Sequence, residues 1–171
     1  MPSETRPDTT RADTTIVDWH PRYGDAFGRL NREWLEKYFR VEAVDEPVLN
    51  HPDRHVLSPG GVILYAVQEG RAVGTVALKY QGGGVYELTK MAVTRACQGQ
   101  GVGRQLLRAA VARFGEIAGS RLYLESNSRL GPALTLYESA GFVHETPPER
   151  SDYQRADVYM VYRESRAPGA K

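Results

Sequence analysis

Residues 91–107 read MAVTRACQGQGVGRQLL. An apolar run ends, Gly99, Gly101 and Gly103 stand at alternate positions, and an amphipathic pattern begins. A turn of this kind points successive backbone N–H groups outward, and together with a helix N-terminus it binds phosphate oxygens. Glycine suits it because it accepts positive φ and lets a ligand approach the backbone closely. A Walker loop is excluded, since it ends in Gly-Lys-Ser/Thr and Gly103 is followed by Arg104 and Gln105. A dinucleotide fingerprint is disfavoured: Gly99 and Gly101 fit GxGxxG, but position 104 is arginine. Glu125 stands about twenty residues on, where a ribose-binding acid would sit, yet the hairpin-like strands ahead of the loop do not suit a doubly wound sheet. A glycine-rich turn without a ligand is the remaining alternative. The single cysteine, Cys97, can form neither an internal disulfide nor a CxxC pair. His20, His51, His55 and His144 lack any HExxH spacing, so no metal is expected.

These residues need a scaffold, and the hydrophobic pattern supplies one. Residues 15–20 read as a strand, and 21–39 as a helix with Phe27, Leu30, Trp34, Leu35, Tyr38 and Phe39 at three- and four-residue spacing. A short helix is expected within 45–57. Strands at 61–68 and 71–78 flank Glu69-Gly70, a hairpin signal, and 85–93 gives a third strand after Gly82-Gly83-Gly84. A helix over 101–118 carries the stripe Val102, Leu106, Ala110, Phe114 and Ile117. Then come a strand at 121–126, a helix over 132–140, and strands at 141–145 and 157–163. The order predicts an α/β (α+β) fold with a mixed, mostly antiparallel sheet. The helical crossover makes 85–93 and 121–126 a right-handed parallel pair.

Residues 98–103 read Gln-x-x-Gly-x-Gly, and 133–142 read Ala-x-x-Leu-Tyr-x-x-x-Gly-Phe. In this order, about thirty residues apart and on these elements, they resemble the GNAT superfamily of acyl-CoA N-acyltransferases over most of 61–145. The resemblance implies acetyl-CoA as donor and direct attack by an amine in a ternary complex. It assigns the pyrophosphate to Gln98, Gly99, Gln100, Gly101, Val102, Gly103 and Arg104. The backbone of Met91, Ala92 and Val93 would pair with the pantetheine arm, and one N–H would polarise the thioester carbonyl, a contribution worth roughly 3 kcal/mol. Tyr137 would protonate the departing thiolate, its ordinary pKa of about 10 lying near that of an alkyl thiol; the alternative is a packed core tyrosine. Glu87, four residues before Met91 and on the same face by strict alternation, would take the amine's proton; a solvated strand glutamate is its alternative. Glu125 is a second candidate base.

One departure concerns the asparagine that the family often places three residues before the alanine of the tyrosine helix. That position is Leu130, and Asn127, six residues before Ala133, is either a pantetheine contact or a turn residue. The resemblance also makes Tyr38, Glu42 and Asp45 a roof over the acceptor, with Asp152, Tyr153 and Arg155 as the opposite wall. Trp34, Tyr38 and Phe39 otherwise read as core, and Cys97 as a bystander.

Composition bounds the rest. In 171 residues, 22 basic side chains balance 21 acidic ones, for a net charge of +1. That argues against whole-surface attraction to nucleic acid or anionic membrane. No run approaches the ~18 apolar residues of a membrane span, and a lone cysteine fits a reducing, cytoplasmic compartment. One domain is expected over 15–164, between a disordered tail at 1–14 and a polar tail at 165–171. The near-neutral charge does not conflict with a polyanionic donor, because 3 of the 17 glycines expose backbone N–H groups at the loop, with Arg95, Arg104 and Arg108 beside it. The sequence thus reads as an N-acetyltransferase for a primary amine on a small molecule or peptide. A non-catalytic acyl-CoA sensor or interaction module is the alternative. A homodimer is compatible with the resemblance, though no interface is legible.

Overall fold

The computed structural model describes residues 12–164. Most of the tail expected at 1–14, and all of its C-terminal counterpart at 165–171, lie outside that range. Thr14, at the inner end of the first tail, accepts a hydrogen bond from the Gln68 amide at 2.9 Å. Seven strands form one sheet: β1 (Thr15–Asp18), β2 (Val62–Gln68), β3 (Arg71–Tyr80), β4 (Val85–Val93), β5 (Arg121–Ser126), β6 (Phe142–His144) and β7 (Val158–Tyr162). Their order is β1-β2-β3-β4-β5-β7-β6. Every neighbouring pair is antiparallel except β4 and β5, which the helical crossover joins in parallel. The final strand slips between β5 and β6, an insertion that the linear pattern does not reveal.

Among the described residues four α-helices flank the sheet, α1 (Ala26–Tyr38), α2 (Asp45–Asn50), α3 (Val102–Glu116) and α4 (Gly131–Ser139), with a π-helical turn at Asp53–Leu57. The helix expected over 21–39 is broken. A 3-10 turn at Pro21–Tyr23 ends at Gly24, whose φ of 55° an α-helix cannot continue. β2 shows why its sequence is apolar without a break. Ile63 and Tyr65 pack on the α1 and α2 side, while Leu64 and Ala66 pack on the α3 side. A strand buried on both faces keeps no polar alternation.

Two irregularities in β4 position the site. Its ladder with β5 holds only from Val85↔Arg121 to Glu87↔Tyr123, and beyond that the strands part. On the other edge, Ala77 pairs with Thr89 but Thr75 pairs with Ala92, so β4 carries one extra residue, a bulge, with Lys90 at φ 55°. The bulge corrects the expectation that Glu87 and Met91 share a face. Glu87 pairs with Lys79, in step with Ala77 and the α1 core, whereas Met91 packs with the α3 core. One inserted residue inverts the alternation of every position after it. The split in the sheet is therefore reached from both faces.

Candidate active site

On the α3 side, the loop and α4 enclose a groove lined by Val93, Cys97, Gln98, Gly99, Gly101, Val102, Gly103, Arg104, Pro132 and Leu136. Gly99 and Gly101 adopt φ of 79° and 81°, and a Cβ at either would have no atom within 4 Å, so backbone conformation and not space requires glycine there. Gly103 differs: its φ is not positive, and a Cβ would meet Leu136 and Val93 at ordinary distances of 3.7 and 3.9 Å. The fold alone does not need glycine at 103, but a ligand lying on the backbone would. No side chain caps α3, and its ladder begins with Gln105 N–H on the Gly101 carbonyl. The N–H groups of Val102, Gly103 and Arg104 are thus free of intrahelical partners. The residues fit a pyrophosphate, and Arg95, Arg104 and Arg108 form no ion pair among the described residues. The side chains of Val102 and Ala92 are buried in the core. Gln98 ties the loop to the strand end by donating to the Val93 carbonyl at 3.1 Å. The Gln100 amide donates to the Ala96 carbonyl at 3.4 Å, and its side chain does not line the groove.

Where β4 and β5 part, a cleft of about 730 Å³, open mouth included, runs through the sheet. Met91 and Tyr137 line it, while their near neighbours Val93 and Leu136 line the loop groove, so the two concavities adjoin along β4 and α4. Among the described residues the Tyr137 hydroxyl has no hydrogen-bond partner, and burial pushes it up to about 12. It therefore stays protonated at neutral pH. It is also a weaker acid than a match with an alkyl thiol requires.

Trp34 and Leu35 of α1, with Phe39 just past its end, form the opposite wall with Glu87, Glu125, Tyr153 and Arg155. Glu87 is 8% exposed. It accepts a hydrogen bond from the Tyr123 hydroxyl at 3.1 Å. Burial raises its pKa, the nearby Glu125 carboxylate raises it further, and Tyr123 and Lys90 offset only part of this. Glu125 accepts from Ser151 Oγ at 2.8 Å. Glu87, Glu125 and Tyr153 also line a second, wider groove on the α1 face of the sheet. They are the neck between the two spaces.

Beside the neck lies a buried ionic network. Asp45, wholly buried, receives Lys90 Nζ at 2.8 Å and both terminal nitrogens of Arg155 at 2.7 and 2.8 Å. Arg155 also donates to Glu42 at 2.9 Å. Lys90 and Arg155 both lie over the Tyr153 ring, at 4.5 and 4.6 Å from its centroid, and Lys90 donates to the Tyr153 hydroxyl at 3.1 Å. Burial alone would raise the Asp45 carboxyl; Arg155 and Lys90 outweigh it and hold the group down at about 2.

The structure therefore brings Glu87, Glu125, Tyr137, Tyr153, Met91 and Asn127 to one cleft. Other expected contacts lie elsewhere. Glu42 and Asp45 are occupied by cations and do not line the cleft. Tyr38 is 39% exposed, its ring against the outer side of Trp34 with the Lys37 ammonium over it. Trp34 and Phe39 take the wall position instead. Asn127 is a turn residue: its oxygen accepts the Arg129 N–H at 2.9 Å and its amide holds the Arg155 carbonyl. Sequence reasoning does not single out Lys90, Tyr123, Arg121 or Tyr159. Tyr123 and Arg121 precede Glu125 at two-residue steps, so alternation along β5 places all three on one face. That pattern could have found them. No signal marks Lys90, since no glycine flags the bulge.

Among the described residues no group of three His, Cys, Asp or Glu side chains gathers as a metal site, and no helix is long and apolar enough to cross a membrane. The model of the Acetyltransferase (GNAT) family matches residues 29–142. An uncharacterized N-acetyltransferase of Schizosaccharomyces pombe is 30% identical over 132 residues, covering 74% of this chain and 80% of that protein. Solved structures share the fold. A GNAT-family acetyltransferase from Staphylococcus aureus Mu50 superposes with a TM-score of 0.78 at 18% identity, over 88% of this chain and 98% of that one. A PaiA N-acetyltransferase from Thermoplasma acidophilum, solved in complex with coenzyme A, gives 0.69 at 15% identity, over 88% and 98%. With the family model matching two-thirds of its length, from α1 through the loop to the start of β6, the chain belongs to the Acetyltransferase (GNAT) family.

Proposed function

We propose that this GNAT acetyltransferase acts on nitrogen, moving an acetyl group from acetyl-CoA to a primary amine of a small molecule or peptide by direct attack in a ternary complex. The observation that carries the reading is that the raised Glu87 carboxyl and the unpartnered Tyr137 hydroxyl line one cleft, on opposite sides of the split between β4 and β5. The donor supplies an acetyl thioester, and the acceptor enters from the α1 face. An ammonium cannot attack, so it must first lose a proton, and Glu87 accepts it. Its raised pKa makes it a better proton acceptor than an ordinary glutamate. As the new N–C bond forms, the C–S bond breaks. Tyr137 donates a proton to the sulfur and is reprotonated from solvent, which also receives the nitrogen's second proton.

On the donor side the chain uses backbone. Gly99, Gly101, Gly103 and the uncapped first turn of α3 receive the pyrophosphate, with Arg104 adding charge. The β4 edge released by the splay offers Met91–Val93 backbone groups to the pantetheine arm and carbonyl, where a donor is worth roughly 3 kcal/mol. Tyr137→Phe is expected to lower kcat by roughly 10²-fold with little change in acetyl-CoA affinity. Thiol release across an amine panel, with calorimetric titration of acetyl-CoA, measures both. Unchanged kcat would remove the proton-donor role. Donor binding without thiol release for any amine would favour the sensor reading.

A further inference from the structure

The wide groove on the α1 face has an arrangement of charge that acetyl transfer alone does not require. Its floor is a stacked pair, Tyr123 and Tyr159, with ring centroids 5.5 Å apart at 29°. Each hydroxyl holds a charged group of opposite sign. Tyr123 donates to the Glu87 carboxylate at 3.1 Å, and Arg121 Nη2 donates to the Tyr159 hydroxyl at 2.7 Å. Lys79 lies directly across the strand pair from Glu87, and Glu125 lies across from Tyr159. Lys79, Arg121, Glu87 and Glu125 all line the groove. Yet none of the four forms an ion pair among the described residues. This contrasts with the neighbouring Asp45 network, where the same residue types are fully matched. The exposed rim residues Glu149, Arg150 and Asp152 nearly cancel and are screened by solvent.

An acceptor bearing only positive charge would satisfy Glu87 and Glu125 but meet Arg121 and Lys79 as like charges. A neutral amine would leave both cations unused. An occupant with one charge of each sign matches all four. We propose that the acceptor is a zwitterion, a free amino acid or an amino-acid-like compound, with its amine at Glu87 and Glu125 and its carboxylate at Arg121 and Lys79. This rests on the acetyl-transfer reading and names the substrate class for it.

The test is thiol release from acetyl-CoA with free amino acids, each alongside its carboxamide and its decarboxylated amine. A charge-assisted contact to a carboxylate predicts kcat/KM at least about tenfold higher for the amino acid than for either counterpart. The contact is equally present before and during reaction, so the difference should appear mainly in KM. Arg121→Met and Lys79→Met should each shrink that ratio. Lys79 lies outside the buried core, so its variant carries the test even if Arg121→Met does not fold. Carboxamides, simple amines or polyamines turning over as well as amino acids would overturn the zwitterion while leaving acetyl transfer standing. A ratio unmoved in a folded variant would do the same. No turnover of any amine would overturn both.

Discussion

Asp45 and Glu87 are buried carboxylates on two sides of the same strand bulge, and their surroundings drive them in opposite directions. Asp45 faces Lys90 and Arg155 and is held down at about 2. Glu87 faces a tyrosine hydroxyl and a second carboxylate, and its pKa is raised. Lys90 is close enough to pull Glu87 down slightly, but its direct contacts are with Asp45 and Tyr153. The chain thus pairs Lys90 and Arg155 with Asp45 and Glu42 and leaves Glu87 and Glu125 without an ion-pair partner among the described residues. A buried charge without a partner costs folding energy. It persists where a substrate completes it, which is why perturbed groups gather at active sites.

Removing the paired acid should have the largest effect. Asp45→Asn leaves Lys90 buried without its carboxylate and Arg155 with Glu42 alone, and is expected to cost about 3–5 kcal/mol, read by chemical denaturation. The sign of the pH effect follows: a carboxyl held below its unfolded value stabilises the fold above that value and loses the contribution as pH falls towards about 2. A smaller loss is expected for Lys90→Met, because Arg155 still satisfies Asp45. That variant also removes a cation that lowers Glu87, so the acid limb of its pH–rate profile should move up. A limb that stays in place would uncouple the two halves of the comparison.

The unpaired acid should behave in reverse. A folded-state pKa above the unfolded one means stability present below the unfolded value and lost as pH rises through the folded one. Glu87→Gln is therefore expected to raise Tm modestly at neutral pH while impairing turnover, with the gain over wild type vanishing below about pH 4.3, where the unfolded glutamate is itself protonated. A destabilised Glu87→Gln at neutral pH would place Glu87 among the structural groups.

The loop proposed for the donor is local. Gly99, Gly101 and the start of α3 lie within a few residues, and the strand, loop and helix around them follow directly from periodicity. The acceptor side joins residues far apart, as in Arg155 on Asp45, 110 positions away. No window of sequence reports such a pairing, so Glu42 and Asp45 read as substrate contacts, whereas in the structure they pair with the half-buried Arg155. The bulge is hidden for another reason. Lys90 adopts positive φ without glycine, held by Asp45 and Tyr153, and strict alternation then misplaces Met91 relative to Glu87. Asn127 is local in one respect, its oxygen accepting the Arg129 N–H in a turn, while it also lines the cleft.

The central claim is that Glu87 is the proton acceptor for the incoming amine. The most direct measurement is kcat/KM against pH for wild type and Glu87→Gln with one amine that both turn over. The account predicts a wild-type acid limb above the ordinary glutamate range that is absent from the variant, whose rate is low across the same range. The same limb at the same pH in Glu87→Gln would contradict it.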